Sequence, residues 1–124
     1  MYSFSQRSDD RLETCHQDLQ DIMHEVIKIM DITILCGHRP EDKQTKAFNE
    51  GKSKLQFPNS KHNQAPSLAV DIAPWVDGAI PWNDREKFFE LAGIVKGIAY
   101  MKGIKIKWGG DFNSFFDGPH FEKI

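Results

Sequence analysis

His62, Asp71, Asp117 and His120 are the residues of this chain whose types could do chemistry together. Asp71 is the most conspicuous. In SKHNQAPSLAVDIAPW, residues 60–75, it stands between Val70 and Ile72, in a run where Leu68, Val70 and Ile72 alternate as a half-buried strand does. A carboxylate carried into apolar surroundings costs several kcal/mol or shifts its pKa unless it is paired or holds a metal. If Leu68, Val70 and Ile72 face the core, the opposite face presents Ala69, Asp71 and Ala73, and the two alanines leave room beside the acid.

Two imidazoles and one carboxylate, His62, His120 and Asp71, form a three-ligand set for catalytic zinc, with a fourth position left to water. The separation of His62 from Asp71 is not diagnostic, so a surface imidazole and a hydrogen-bonded structural acid remain open readings on spacing alone. Asp117 stands three residues before His120, and on a straight strand the two would point to opposite faces. Gly118-Pro119 can bend the chain and bring them to one side, where an acid could take a proton from water and later return it to a leaving amine. Asp before Gly is also a common turn former, and that reading stays open too.

The elements that must position these groups follow from periodicity. Ser8 reads as an N-cap followed by Asp9 and Asp10, and apolar residues at 12, 15, 19, 22, 23, 26, 29 and 30 predict one amphipathic helix. Residues 32–36 form a short β-rich run ended by Gly37, after which His38-Arg39-Pro40 turns into a polar helix from Glu41 to about Lys52. A strand is predicted over 68–73, stopped by Pro74. Asn83 with Glu86 announces a helix that runs to Gly103, and Ile104, Ile106 and Trp108 alternate with Lys105 and Lys107 as a strand with one wet face. The tail predicts a turn and a last strand. The order implies an α+β fold, helices packed on a small, largely antiparallel sheet, with residues 1–124 as a single domain.

Composition bounds the function. With a net charge of −2, the chain is not expected to have a nucleic-acid partner, which would call for a strongly basic surface. Lys96, Lys102, Lys105 and Lys107 read as a solvated face. The N-terminus lacks a basic region followed by an apolar stretch, and the window LAGIVKGIAYM contains Lys96 and is too short to span a bilayer. A soluble product without stable membrane insertion or its own export signal is expected. Cys15 and Cys36 form no close pair and read as reduced core thiols.

Taken together, Ser60-x-His62, Ala69-x-Asp71 and Asp117-x-x-His120-Phe121, preceded by Trp108-Gly109-Gly110-Asp111, resemble a known family. It is the zinc D-alanyl-D-alanine carboxypeptidase and L-alanyl-D-glutamate endopeptidase family, which includes bacteriophage endolysins and shares its fold with the hedgehog signalling domain. The resemblance covers about residues 30 to 122. It implies a hedgehog/DD-peptidase-like fold, Zn2+ held by His62, Asp71 and His120, and Asp117 as the catalytic acid/base. It also implies Arg39 as an arginine stabilising the oxyanion at the scissile carbonyl, with Ser60 supporting the first ligand from behind. Asp111 is expected to be structural. Two positions depart from the family pattern: the stretch from His62 to Asp71 is longer than usual and carries Pro66-Ser67, and His38 stands where an aromatic usually precedes the arginine.

The substrate that the resemblance implies is the stem peptide of peptidoglycan, cut at the L-Ala–D-Glu bond by a monomeric, endolysin-type enzyme. Such an enzyme waits in the host cytoplasm and reaches the wall at lysis. The compact chain, with no wall-binding module, further suggests a phage of a Gram-negative host. The alternatives within reach of the same residues are a D-alanyl-D-alanine carboxypeptidase and a non-catalytic zinc module that binds the wall.

Overall fold

A computed structural model describes residues 2–124. Helix α1, Gln6–Leu12, starts at Ser5, whose hydroxyl accepts from Ser8 N at 3.1 Å; helix α2, Gln17–Val26, is capped by His16, whose Nδ1 accepts from Asp18 N at 3.0 Å. The apolar period predicts a cap at Ser8 and one helix through to residue 30. The chain instead breaks between the two helices, because the backbone there bonds elsewhere: Ser67 N donates to Thr14 O at 2.9 Å and His16 N to Ser67 O at 2.8 Å. The apolar spacing runs across the break because Leu12, Cys15, Leu19, Ile22, Met23 and Val26 all bury into one core.

Four strands follow the sequence expectation closely: β1 Ile32–Cys36, β2 Ala69–Pro74, β3 Ile106–Trp108 and β4 His120–Lys123. They form one sheet in the order β1-β2-β4-β3 with every neighbouring pair antiparallel, so the α+β expectation holds. β1 lies at an edge, and α1 covers part of it: Ile34 N donates to Ser8 Oγ at 3.0 Å and Arg11 Nη1 donates to Ile34 O at 3.0 Å. Ser8, expected as a cap, is thus spent on closing a sheet edge that would otherwise stay open for pairing.

Helix α3, Glu41–Asn49, follows Pro40, and helix α4, Arg85–Lys102, starts one residue later than expected, with Asp84 as its cap. α4 ends as the sequence implies, at Gly103 in the left-handed conformation with φ 70°. It buries Phe88, Leu91, Ala92, Val95 and Ala99 toward α2, β2 and β3. The core on that side takes Val70 and Ile72 from β2, Trp108 from β3 and Phe121 from β4. The alternation expected of β2 is only partly present, since Leu68 is half-buried while Ala69 and Ala73 are buried. On that second face only Asp71 keeps solvent contact, with 20 % of its side chain exposed. Among the described residues, no helix is long and apolar enough to cross a membrane.

Candidate metal centre and active site

The register of the sheet assembles the site. Asp71 on β2 lies opposite His120 on β4 and, past an irregularity between Ile34 and Cys36, opposite Cys36 on β1. Paired residues on neighbouring strands share a face, so one row across the sheet carries a thiol, a carboxylate and an imidazole. His62 comes from outside the sheet, on a single 3-10 turn, Lys61–Asn63. Ser60 caps that turn: its hydroxyl accepts from His62 N at 3.2 Å, and Asn63 Oδ1 accepts from Ser60 N at 3.0 Å.

Both imidazoles converge on one oxygen. His62 Nε2 lies 3.2 Å and His120 Nδ1 3.1 Å from Asp71 Oδ1, with the rings 5.2 Å apart between centroids. The far nitrogens are held as well, His62 Nδ1 by Gly37 O at 2.7 Å and His120 Nε2 by Glu122 Oε1 at 2.8 Å. Since every one of these partners accepts, each ring donates from both nitrogens and is an imidazolium in the metal-free protein. Burial alone would favour neutral rings, but the hydrogen bonds to Asp71 outweigh it, pushing His62 up to about 10 and His120 up to about 9. Burial would likewise raise Asp71, yet the two imidazoles hold it well below the ordinary carboxylate range.

Arg39 approaches from the other side, with Nη2 3.7 Å from Asp71 Oδ2. Asp117 is brought round by a turn in which His120 N donates to Asp117 O at 3.2 Å. Gly109 permits this approach: a Cβ built on it would stand 2.9 Å from Asp117 Cβ, 3.0 Å from His120 Cβ and in collision with Asp117 O. The Asp117 carboxyl is raised by burial and by the negative charge of Asp71. It lines a cleft of about 380 Å³ with Trp82, Asn83, Arg85, Phe88 and Phe116. Arg39 lines a second cleft of about 360 Å³ with Cys36, His38, Lys43 and Lys46.

The structure therefore gathers His62, Asp71, His120 and Arg39, with Asp117 beside His120. Asp111 lies apart, paired at 2.7 Å with Lys96, which also sits over the Trp108 ring. Cys15 is a buried free thiol as expected, but Cys36 is a half-buried site residue and not a core thiol. Burial would raise the Cys36 thiol, but the neighbouring His62 and the Arg39 charge bring it below the ordinary value. Ligand atoms of Cys36, His62 and Asp71 lie within 4.8 Å of one another, so this group could hold a metal ion. The donor chemistry of nitrogen, carboxylate oxygen and sulfur, with the far nitrogen of each imidazole already anchored, suits zinc. Sequence reasoning missed Cys36, Gln44 and Glu122. Glu122 carried a usable sign, since residues two apart on a strand share a face and His120-x-Glu122 therefore stands together.

This sheet, with an acid held between two histidines, has the hedgehog/DD-peptidase-like fold and carries a group that could hold a metal ion. The chain belongs to the phage L-alanyl-D-glutamate peptidase family, whose sequence profile matches residues 1–124. It is similar to the L-alanyl-D-glutamate peptidase of Escherichia phage T5, with 28% identity over 136 residues, covering 99% of this chain and 98% of that protein. It is also similar to the peptidoglycan L-alanyl-D-glutamate endopeptidase CwlK of Bacillus subtilis (strain 168), with 29% identity over 113 residues, 78% of this chain and 63% of CwlK. Among solved structures, the Serratia marcescens L-Ala D-Glu endopeptidase ChiX superposes with a TM-score of 0.85 at 25% identity, covering 99% of this chain and 91% of ChiX.

Proposed function

We propose that the chain is a zinc-dependent endopeptidase that hydrolyses the L-alanyl-D-glutamate bond of peptidoglycan stem peptides. The observation that carries this reading is the convergence of His62 Nε2 and His120 Nδ1 on Asp71 Oδ1, in a chain of this family. His62, Asp71 and His120 are the zinc ligands, and Cys36 lies close enough to join them. Zinc bound there would polarise the scissile carbonyl and make water a nucleophile at neutral pH.

The chain's own residues do the rest. Asp117, whose carboxyl is raised by burial and by the charge of Asp71, takes the proton of the attacking water and passes it to the departing nitrogen of D-glutamate. The Arg39 guanidinium faces the negative charge that develops on the carbonyl oxygen. Ser60 serves through the turn that carries His62. Residues 1–124 act as one catalytic domain and as a monomer. The phage relative supports an endolysin role, in which the enzyme is held in the host cytoplasm and meets the wall when the membrane is breached.

Metal analysis paired with turnover tests the ligand set. Dialysed wild-type protein should carry one zinc per chain, and His62→Ala and His120→Ala should carry far less, with cleavage of a muropeptide falling in step with occupancy. Full zinc content and unchanged turnover in both variants would overturn the assignment.

A further inference from the structure

Gln44 is a fully buried amide on α3 with every hydrogen-bonding position of its side chain engaged. Its Oε1 accepts from Arg39 Nη1 at 2.9 Å and from Asn63 Nδ2 at 3.1 Å; its Nε2 donates to Leu55 O at 2.6 Å and to Ser53 Oγ at 2.9 Å. Burying an amide is unfavourable unless all its bonds are made, and an apolar side chain would fill the same space without that requirement. The amide must therefore do something that packing does not.

We infer that Gln44 is a positioning residue for the Arg39 guanidinium, holding it at the rim of the site and off the Asp71 carboxylate. The guanidinium is pulled from two sides. Toward the site, Nη2 stands 3.7 Å from Asp71 Oδ2 and 3.7 Å from Cys36 Sγ. A relaxed arginine–carboxylate pair closes to about 2.7–2.9 Å. The gap is kept open from behind by Gln44 Oε1. The same amide reaches the turn that carries His62: Asn63 Nδ2 donates to Arg39 O at 3.0 Å as well as to Gln44, and Arg39 N donates to His62 O at 2.7 Å. Arginine and histidine are thereby set in one frame, so that Nη2 stays turned toward the site.

The inference rests on the role given to Arg39 under the proposed function. A double-mutant cycle on the zinc-loaded protein separates the two. Gln44→Met keeps the side-chain length and removes the acceptor; it should lower kcat roughly 10-fold while KM changes little, since misplacing a group that acts on the transition state costs turnover. In an Arg39→Ala background the same substitution should cost much less, because the group it positions is gone and only its bonds to Asn63 and the loop remain to be lost. Gln44→Glu keeps an acceptor toward Arg39 but loses both donors. It should melt lower than Gln44→Met and yet turn over faster, a ranking that a merely structural role would reverse. An undiminished loss from Gln44→Met in the Arg39→Ala background overturns the inference and leaves the role of Arg39 intact. Wild-type turnover in Arg39→Ala overturns both.

Discussion

The carbonyl of Gly37 accepts a hydrogen bond from Nδ1 of His62 at 2.7 Å. A carbonyl can only accept, so Nδ1 carries the hydrogen and Nε2 is the atom turned toward Asp71. The bond spans from the end of β1 to the turn after residue 60, and so the orientation of the imidazole depends on where the Gly37 backbone lies. That backbone is tightly enclosed: a Cβ at Gly37 would collide with Thr14 Oγ1 and Arg11 O and stand 3.0 Å from Cys15 Sγ.

Gly37→Ala should therefore weaken both the fold and the site. Arg11 O belongs to the backbone, which cannot rotate away, so the added methyl forces β1 and α1 apart at a cost of about 1–3 kcal/mol, typical of overpacking. Urea unfolding of the metal-free variant measures the loss. Wild-type stability would mean that the enclosure is softer than the geometry implies.

Glu122→Ala should leave the three proposed ligands in place and still weaken zinc binding. Glu122 Oε1 anchors His120 Nε2 at 2.8 Å, and its other oxygen is held 3.3 Å from Lys61 Nζ. Loss of such a supporting carboxylate costs roughly 10–100-fold in metal affinity. Competition against a chromophoric chelator reads the change directly, and unaltered affinity would show that His120 is oriented without it.

Proton linkage gives a signed prediction for the metal-free protein. His62, at about 10, and His120, at about 9, stand above the ordinary histidine value of about 6.5. Their contribution to stability is complete below pH of about 6.5 and is lost as the pH rises through about 9 and about 10. The Tm of the metal-free protein should fall across that window. Zinc must displace the Nε2 proton of His62 and the Nδ1 proton of His120, so binding should release protons and tighten with rising pH, which calorimetry in buffers of different ionisation enthalpy can measure. A flat Tm with no proton release would contradict the imidazolium pair.

Asp117→Ala should fold, keep its zinc and lose turnover by roughly 10²–10⁴-fold, the usual worth of a general acid/base. In the wild type, the raised Asp117 carboxyl places the acid limb of the kcat/KM profile above the ordinary aspartate range, because the base is lost on protonation. A variant with normal zinc content and near wild-type rates would remove Asp117 from the chemistry.

Much of this was legible in the residues. Asp71 was visible because a charge in an apolar alternation has few explanations, and Gly118-Pro119 announced the bend that brings Asp117 and His120 together. Gly103 and Pro74 marked ends that the chain respects. The break between α1 and α2 was not legible, because the apolar period continues across it and its cause, the Thr14, His16 and Ser67 backbone pairing, lies about fifty residues away. Cys36 looks like core because the irregularity after Ile34, which sets it opposite Asp71, leaves no mark in a five-residue strand. Gln44 was hidden for a similar reason: a polar residue on a polar helix looks solvated until the loop at 53–55 closes over it.

The central claim, metal-dependent cleavage of the L-alanyl-D-glutamate bond, is tested most directly by mass spectrometry of purified peptidoglycan digested with the zinc-loaded protein, with and without a chelator. New N-terminal D-glutamate that disappears on chelation and returns with zinc is the predicted result. Released D-alanine, cleavage indifferent to the chelator, or no new termini from folded, zinc-loaded protein would contradict it.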